Sequence, residues 1–110
     1  MSVSYFVRYR GRAADPDAFA GYYRDKHAVI LKDFPGLRGL TLHRPVAALD
    51  PFPTKPGGTL LLAQMAFDSA EDLNRALASE ARARARTDFA NFPPFEGEAT
   101  HEALLREVIL

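Results

Sequence analysis

The sequence contains no cysteine, and its 14 basic residues are balanced by 14 acidic residues. Without cysteine the chain can form neither a disulfide nor a thiolate zinc site, and it has no cysteine nucleophile. This absence fits a reducing compartment, and we predict a cytoplasmic location. A formal net charge of +0 leaves no broad positive field for phosphate backbones, so we expect no nucleic-acid partner.

Several signature sequences are also absent. No apolar run approaches the roughly 18 residues of a membrane span, so we expect neither membrane insertion nor secretion. The chain has no G-x-G-x-x-G fingerprint, no Walker-type G-K-[ST] and no G-x-S-x-G serine setting. Its histidines His27, His43 and His101 lack the close spacing of metal-binding motifs. We therefore predict neither a cofactor nor a metal.

The chain does have the composition of a globular domain. Its 110 residues are 47% hydrophobic and 25% charged, which predicts a single domain spanning residues 1–110. Alternating and helical apolar spacings predict six elements in the order β-α-β-β-α-β. They are a strand at Val3–Tyr9, a helix from Pro16 to the Pro35-Gly36 pair, strands at Leu37–Val46 and Thr59–Phe67, a helix from Ser69 to Phe92 with a break near Thr87, and a strand from Gly97 onward.

This order predicts an α+β fold of the ferredoxin-like kind, a four-stranded antiparallel sheet with two helices on one face. The first and third strands carry apolar residues on both faces, so the open face would expose a large apolar patch. We therefore predict a homodimer joined through that face, with a pocket associated with the dimer. The prolines and glycines between Ala47 and Gly58 predict an irregular, mobile loop at Leu49–Gly58, near the pocket or the dimer edge.

One motif resembles a known family. Three segments are similar to the EthD family of dimeric α+β barrels. They are Asp15-Pro16-x-x-Phe19-x-x-Tyr22-Tyr23-x-x-x-His27, then Phe34-Pro35-Gly36-Leu37, and later Asp88-Phe89-Ala90-Asn91-Phe92. The resemblance implies a ferredoxin-like homodimer in a family named for bacterial ether degradation, whose members are often labelled reductase or oxidoreductase. The wider superfamily includes lactone isomerases, decarboxylases and cofactor-free oxygenases, which use an enclosed pocket with one or two acid/base groups.

His27 is the first catalytic candidate, because an imidazole with a reference pKa near ~6.5 can exchange a proton at neutral pH. It also matches the histidine of the resembled family. The alternative is a buried structural histidine that bonds to a backbone carbonyl. Tyr23 is a second catalytic candidate and Tyr22 a ligand-binding one, since both precede His27 by about one helical turn. Either tyrosine could instead fill the core.

Four strand residues are further ligand-binding candidates. His43 lies on the face of the second strand that we expect to be open, and Gln64 is a polar residue in an apolar strand that needs a hydrogen-bond partner when buried. The other two are Tyr5 and Tyr9 of the first strand. The alternative for these rings is simple filling of the dimer interface, together with Phe6, Met65 and Phe67.

Three kinds of function remain open. The first is a small enzyme that acts on an apolar, aromatic or lactone-like molecule by proton transfer, as a cofactor-independent isomerase, lyase or oxygenase or as an EthD-type oxidoreductase. The second is a non-catalytic binding or accessory protein with the same pocket, and the third is a purely structural dimer. A pocket serves the first two equally, so the sequence does not separate them. Arg82, Arg84 and Arg86 are expected to form a solvated surface.

Overall fold

The computed structural model describes residues 1–51 and 58–110. Its elements follow the predicted order, and each helical stretch is divided in two. They are strand β1 at Val3–Ala13, helix α1 at Pro16–Tyr22, a π-helical turn at Tyr23–His27, helix α2 at Ala28–Leu31, strand β2 at Gly39–His43, strand β3 at Thr59–Phe67, helix α3 at Ala70–Leu77, helix α4 at Glu80–Asp88, a 3-10 turn at Phe89–Asn91 and strand β4 at Phe95–Leu105.

The strands form an antiparallel sheet in the order β2-β3-β1-β4. Strand β1 lies inside the sheet, where Val7 is opposite Ala63 of β3 and His101 of β4. Strands β1 and β2 both pair antiparallel with β3, so they run in the same direction and form the split βαβ arrangement. The predicted ferredoxin-like α+β fold is therefore confirmed.

The two faces of the sheet differ in burial, because successive strand residues point to opposite faces. The odd-numbered positions of β1 and β3 are buried beneath the helices: Val3, Tyr5, Val7, Tyr9, Leu61, Ala63, Met65 and Phe67. The opposite, open face carries half-buried Phe6 and Leu62 and the more exposed Leu104. Of the five residues that could fill a dimer interface, only Phe6 lies on the open face. The assignment of Tyr5, Tyr9, Met65 and Phe67 to that interface was wrong.

Capping residues explain where the helices begin. The Asp15 carboxylate accepts a hydrogen bond from the backbone N–H of Ala18, and the Ser69 hydroxyl accepts one from Asp72. The second helical stretch breaks earlier than predicted, at Ala78-Ser79, because the Ser79 hydroxyl caps a new helix by accepting the Arg82 N–H. Near Thr87, where the break was predicted, α4 continues to Asp88 and the 3-10 turn follows it directly.

The strand ends also differ from the predicted ones. Strand β1 continues to Ala13 and β4 begins at Phe95, because the two strands keep pairing as far as these residues. Strand β2 is shorter than predicted, since its pairing with β3 is confined to Gly39–His43. The mobile loop predicted at Leu49–Gly58 falls mostly on residues 52–57, which lie outside the described residues.

Gly11 and Gly97 face each other where β1 pairs with β4. Gly11 has a φ of 136°, and a Cβ there would lie 2.0 Å from the Glu96 carbonyl oxygen. Gly11→Ala is therefore expected to lower the free energy of unfolding by more than about 2 kcal/mol, measured by urea denaturation. The control Gly21→Ala, in α1, adds only an ordinary contact and should stabilise by up to about 1 kcal/mol. Similar effects at both sites would contradict this steric explanation.

Candidate active site

A cavity of about 260 Å³ lies between the buried face of the sheet and the helices. This volume is just below the range of about 300–1,000 Å³ that is usual for small-molecule pockets. Its lining residues come from three strands, the first helical stretch and the α4 region: Tyr5, Val7, Tyr9, Tyr23, His27, Leu31, Met65, Arg82, Ala85, Arg86, Phe89 and His101. The cavity thus lies on the helix side of the sheet.

His27 reaches this cavity from the π-helical turn. The turn is widened because the Ala28 N–H bonds to the Tyr23 carbonyl, five residues back, and such turns recur at functional sites. The His27 residue is 6% exposed, and its Nδ1 lies 2.9 Å from Oδ2 of Asp88. Its partner is therefore a carboxylate and not the backbone carbonyl of the structural alternative. His27 thus lies at the wall of the cavity, and its catalytic role stays a prediction.

Asp88, at the end of α4, is held by three side chains. Besides His27, the Tyr22 hydroxyl donates to Oδ1 at 2.8 Å and the Asn91 amide donates to Oδ1 at 3.1 Å. Burial raises the pKa of Asp88, but the hydrogen bonds from His27, Asn91 and Tyr22 outweigh burial and bring the pKa below its ordinary value. The carboxylate is therefore ionised at neutral pH and can only accept, so the shared proton belongs to Nδ1 of His27.

The protonation state of His27 follows from its surroundings. Burial lowers the pKa of His27, and the hydrogen bond and the charge of Asp88 offset only part of that effect. The imidazole is therefore neutral at pH 7 and keeps a lone pair on Nε2. Within residues 1–51 and 58–110, Asp88 is the hydrogen-bond partner of the His27 ring. A neutral imidazole at a cavity wall, oriented by a carboxylate, has the arrangement of a general base.

The lowered pKa of His27 predicts a pH dependence of stability. In the unfolded chain the imidazole binds its proton near the ordinary pKa of ~6.5, whereas the folded chain takes it up at lower pH. Stability should therefore fall as the pH decreases below about 6.5. In urea denaturation His27→Asn should lose less stability over this range than the unmodified protein. Equal losses would show that His27 does not titrate in this way.

Tyr23 and Tyr9 form a buried aromatic wall beside His27. The Tyr23 ring centroid lies 4.9 Å from that of His27 and 5.9 Å from that of Tyr9. Burial strongly raises the pKa of both tyrosines, so their hydroxyls stay protonated at neutral pH. Such a group is suited to orienting a ligand rather than to giving up a proton. Tyr22 does not line the cavity and instead positions Asp88.

Another part of the cavity wall is polar. The Tyr5 hydroxyl lies 2.9 Å from Nδ1 of His101, and the Arg82 guanidinium lies over the Tyr5 ring at 5.8 Å from its centroid. Burial lowers the pKa of His101, and the positive charges of Arg82 and Arg86 lower it further. This part of the cavity wall therefore carries two cations, Arg82 and Arg86, beside the neutral His101.

His43 and Gln64 lie on the opposite, open face of the sheet. The His43 Nε2 is 3.2 Å from the Gln64 side-chain oxygen, and the Gln64 amide donates to the Ser4 hydroxyl at 3.4 Å. The predicted site residues are thus separated by the sheet, with Tyr5, Tyr9, Tyr23 and His27 in the cavity and His43 and Gln64 outside it. The dimer-associated pocket predicted for these residues stays a prediction, and alternate residues of a strand such as Gln64 and Met65 lie on opposite faces.

Sequence reasoning does not identify Asp88, His101, Arg82 or Arg86 as members of the site. Asp88 is 61 positions from His27, so no spacing connects them, although it belongs to the segment that resembles the EthD family. Arg82 and Arg86 are four residues apart, which places them on one side of a helix. That spacing is the signal that could have separated them from Arg84.

The described part of the chain has neither a metal-binding cluster nor a helix that could span a membrane. Within residues 1–51 and 58–110, no group of three or more histidine, aspartate or glutamate side chains is placed to hold a metal ion. None of the helices in the same part of the chain combines the length and the apolar composition needed to cross a bilayer.

The fold and the cavity define a ferredoxin-like α+β protein with a histidine–carboxylate pair between its sheet and helices. The family model described as the EthD domain matches residues 12–93. This match covers most of the chain, which therefore belongs to the EthD family, as its motifs predicted. A relative from Rhodococcus erythropolis, an uncharacterized 11.0 kDa protein in the thcB-thcC intergenic region, is 30% identical over 79 residues, or 72% of this chain and 73% of the relative.

Solved structures share the fold. An EthD family protein from Bacillus halodurans C-125 has a TM-score of 0.76 at 23% identity, over 97% of this chain and 100% of that chain. A monooxygenase from the gene ActVA-Orf6 of Streptomyces coelicolor, solved with the ligand nanaomycin D, has a TM-score of 0.68 at 15% identity, over 99% and 91%. A dimeric protein of unknown function with a ferredoxin-like fold from Bacteroides fragilis has a TM-score of 0.60 at 11% identity, over 94% of each chain.

Proposed function

We propose that this protein binds an apolar small molecule in the cavity and moves a proton to or from it through His27. The observation that carries the proposal is the 2.9 Å bond between His27 Nδ1 and Asp88 at the wall of a cavity lined largely by apolar and aromatic groups. The carboxylate keeps the proton on Nδ1, which leaves Nε2 to act on the ligand.

The charges of the pair suit this chemistry. A neutral His27 accepts a proton through Nε2 and becomes an imidazolium, and the adjacent Asp88 carboxylate stabilises that charge. The same imidazolium can return the proton to a different atom, which is an isomerisation. Proton removal also leaves an electron-rich carbanion. Reaction of that carbanion with dioxygen would be an oxygenation, and the structural similarity to a monooxygenase supports this second outcome.

Deuterium incorporation tests the proposal without knowledge of the natural substrate. The protein is incubated in D₂O with a panel of aromatic ketones and unsaturated lactones, and exchange of their acidic C–H groups is followed by NMR. Dissolved oxygen is monitored in the same samples. Exchange without oxygen uptake supports isomerase or lyase chemistry, and exchange with uptake supports an oxygenase. Binding without exchange favours the alternative, a non-catalytic binding or accessory protein.

We also propose that the protein is a homodimer in which the open faces of two sheets pack together. Phe6, Leu62 and Leu104 give this face an apolar centre, and burial of such a patch against its symmetric copy removes it from water. The dimeric protein with the same fold supports the proposal. In this arrangement each protomer keeps its own cavity on the outer side of the sheet.

A further inference from the structure

The arginines of α4 differ in their partners. Arg84 donates to the Asp33 carboxylate at 3.1 Å, so its charge is balanced within the chain. Arg82 and Arg86 line the cavity, and no carboxylate within residues 1–51 and 58–110 forms an ion pair with either of them. Two positive charges therefore border the cavity without a negative partner in the described part of the chain.

The helix holds these two side chains in place. Arg82 and Arg86 are separated by one turn of α4 and flank Ala85, which packs into the core. The Arg82 residue is partly buried, and its guanidinium lies over the Tyr5 ring, which limits its movement. Guanidinium groups presented in this way match the oxygens of a carboxylate or of another planar anion.

The Tyr5 and His101 pair adds a hydrogen-bond donor at the same place. A neutral tyrosine and a neutral histidine carry one polar hydrogen each, and their 2.9 Å contact uses one of the two. Whichever tautomer His101 adopts, one N–H or O–H remains for another acceptor. Both residues line the cavity. Glu102 is the neighbour of His101, but it lies on the open face and pairs across the sheet with Phe6.

We infer that the ligand of this cavity is an amphipathic organic anion, whose charged oxygens bind Arg82 and Arg86 while its apolar body extends towards His27. The inference rests on the proposed function and narrows its substrate class. The apolar body would lie against Val7, Leu31 and Met65, which line the same cavity. A single carboxylate or an ionised hydroxyl would offset one of the two positive charges of the arginine pair, and a dianion would balance both.

Two matched probes test this inference. 2-Naphthoate and 2-naphthamide have nearly the same shape, but only the first is charged. Isothermal titration should give a dissociation constant about tenfold or more lower for 2-naphthoate than for 2-naphthamide. In the double variant Arg82→Gln/Arg86→Gln that preference should fall to within about twofold, with 2-naphthamide binding nearly unchanged. Arg84→Gln removes the same kind of charge from the same helix and should keep the full preference.

Each outcome has a separate meaning. Equal binding of the two probes to the unmodified protein would overturn the anion site and leave the proposed function in place. A loss of preference in Arg84→Gln as large as in the double variant would also overturn it, because the effect would then be one of net charge alone. Failure of both probes to bind would count against the cavity as a ligand site and therefore against both proposals. Thermal melts of all variants establish that they are folded.

Discussion

Replacement of His27 by asparagine is expected to slow deuterium incorporation into the best compound of the panel by about 10²- to 10⁴-fold. The asparagine amide can still donate to Asp88, as Nδ1 does, but it has no basic nitrogen to take a proton. Ligand binding should change little. In the unmodified protein the exchange rate should rise with pH as the imidazole loses its proton and should level off above about pH 6.5, since burial lowers the pKa of His27.

Two further variants make this result specific. His43→Asn removes a histidine from the open face, outside the cavity, and should leave the exchange rate unchanged. Asp88→Asn keeps the shape of the partner but removes its charge, and should slow exchange by about tenfold to a hundredfold. If His27→Asn instead keeps the full rate and lowers the melting temperature by several degrees, the histidine is structural and the proposed mechanism is wrong.

Phe6→Glu is expected to convert the proposed dimer into monomers. Phe6 lies near the middle of the open face and opposite Glu102 of β4, so the new carboxylate would be buried in the interface beside a like charge. An uncompensated buried charge costs about 3–5 kcal/mol, which should raise the dissociation constant about 10³-fold. Light scattering and sedimentation at micromolar concentration would record the change in mass.

Val29→Glu is the matched control for this experiment. It places the same charge at an apolar residue that is 55% exposed on α2, away from the open face. This variant should keep the mass of the unmodified protein. A monomeric unmodified protein, or a Phe6→Glu variant that stays dimeric, would show that the open face is not the interface.

Local patterns carry most of the information about the elements. The third strand has the predicted bounds, Thr59–Phe67, because alternating burial and the flanking Gly58 and Asp68 are features of the segment itself. The helix starts also agree with prediction, since a cap at Asp15 or Ser69 bonds only three residues ahead. The ends of β1 and β4 could not be predicted in this way. Each of these strands extends only as far as its distant partner continues to pair with it.

The candidate site shows the same division. The sequence by itself determined the order of the elements and the identity of His27 as a titratable group on an apolar stripe, whereas the buried side of the two central strands was decided by the tertiary structure. The tertiary structure alone decided that Asp88 is its partner and that Arg82 and Arg86, rather than His43 and Gln64, share its cavity. The reason is physical. Periodicity specifies the face on which a side chain lies, but packing of helices onto the sheet specifies which distant faces meet.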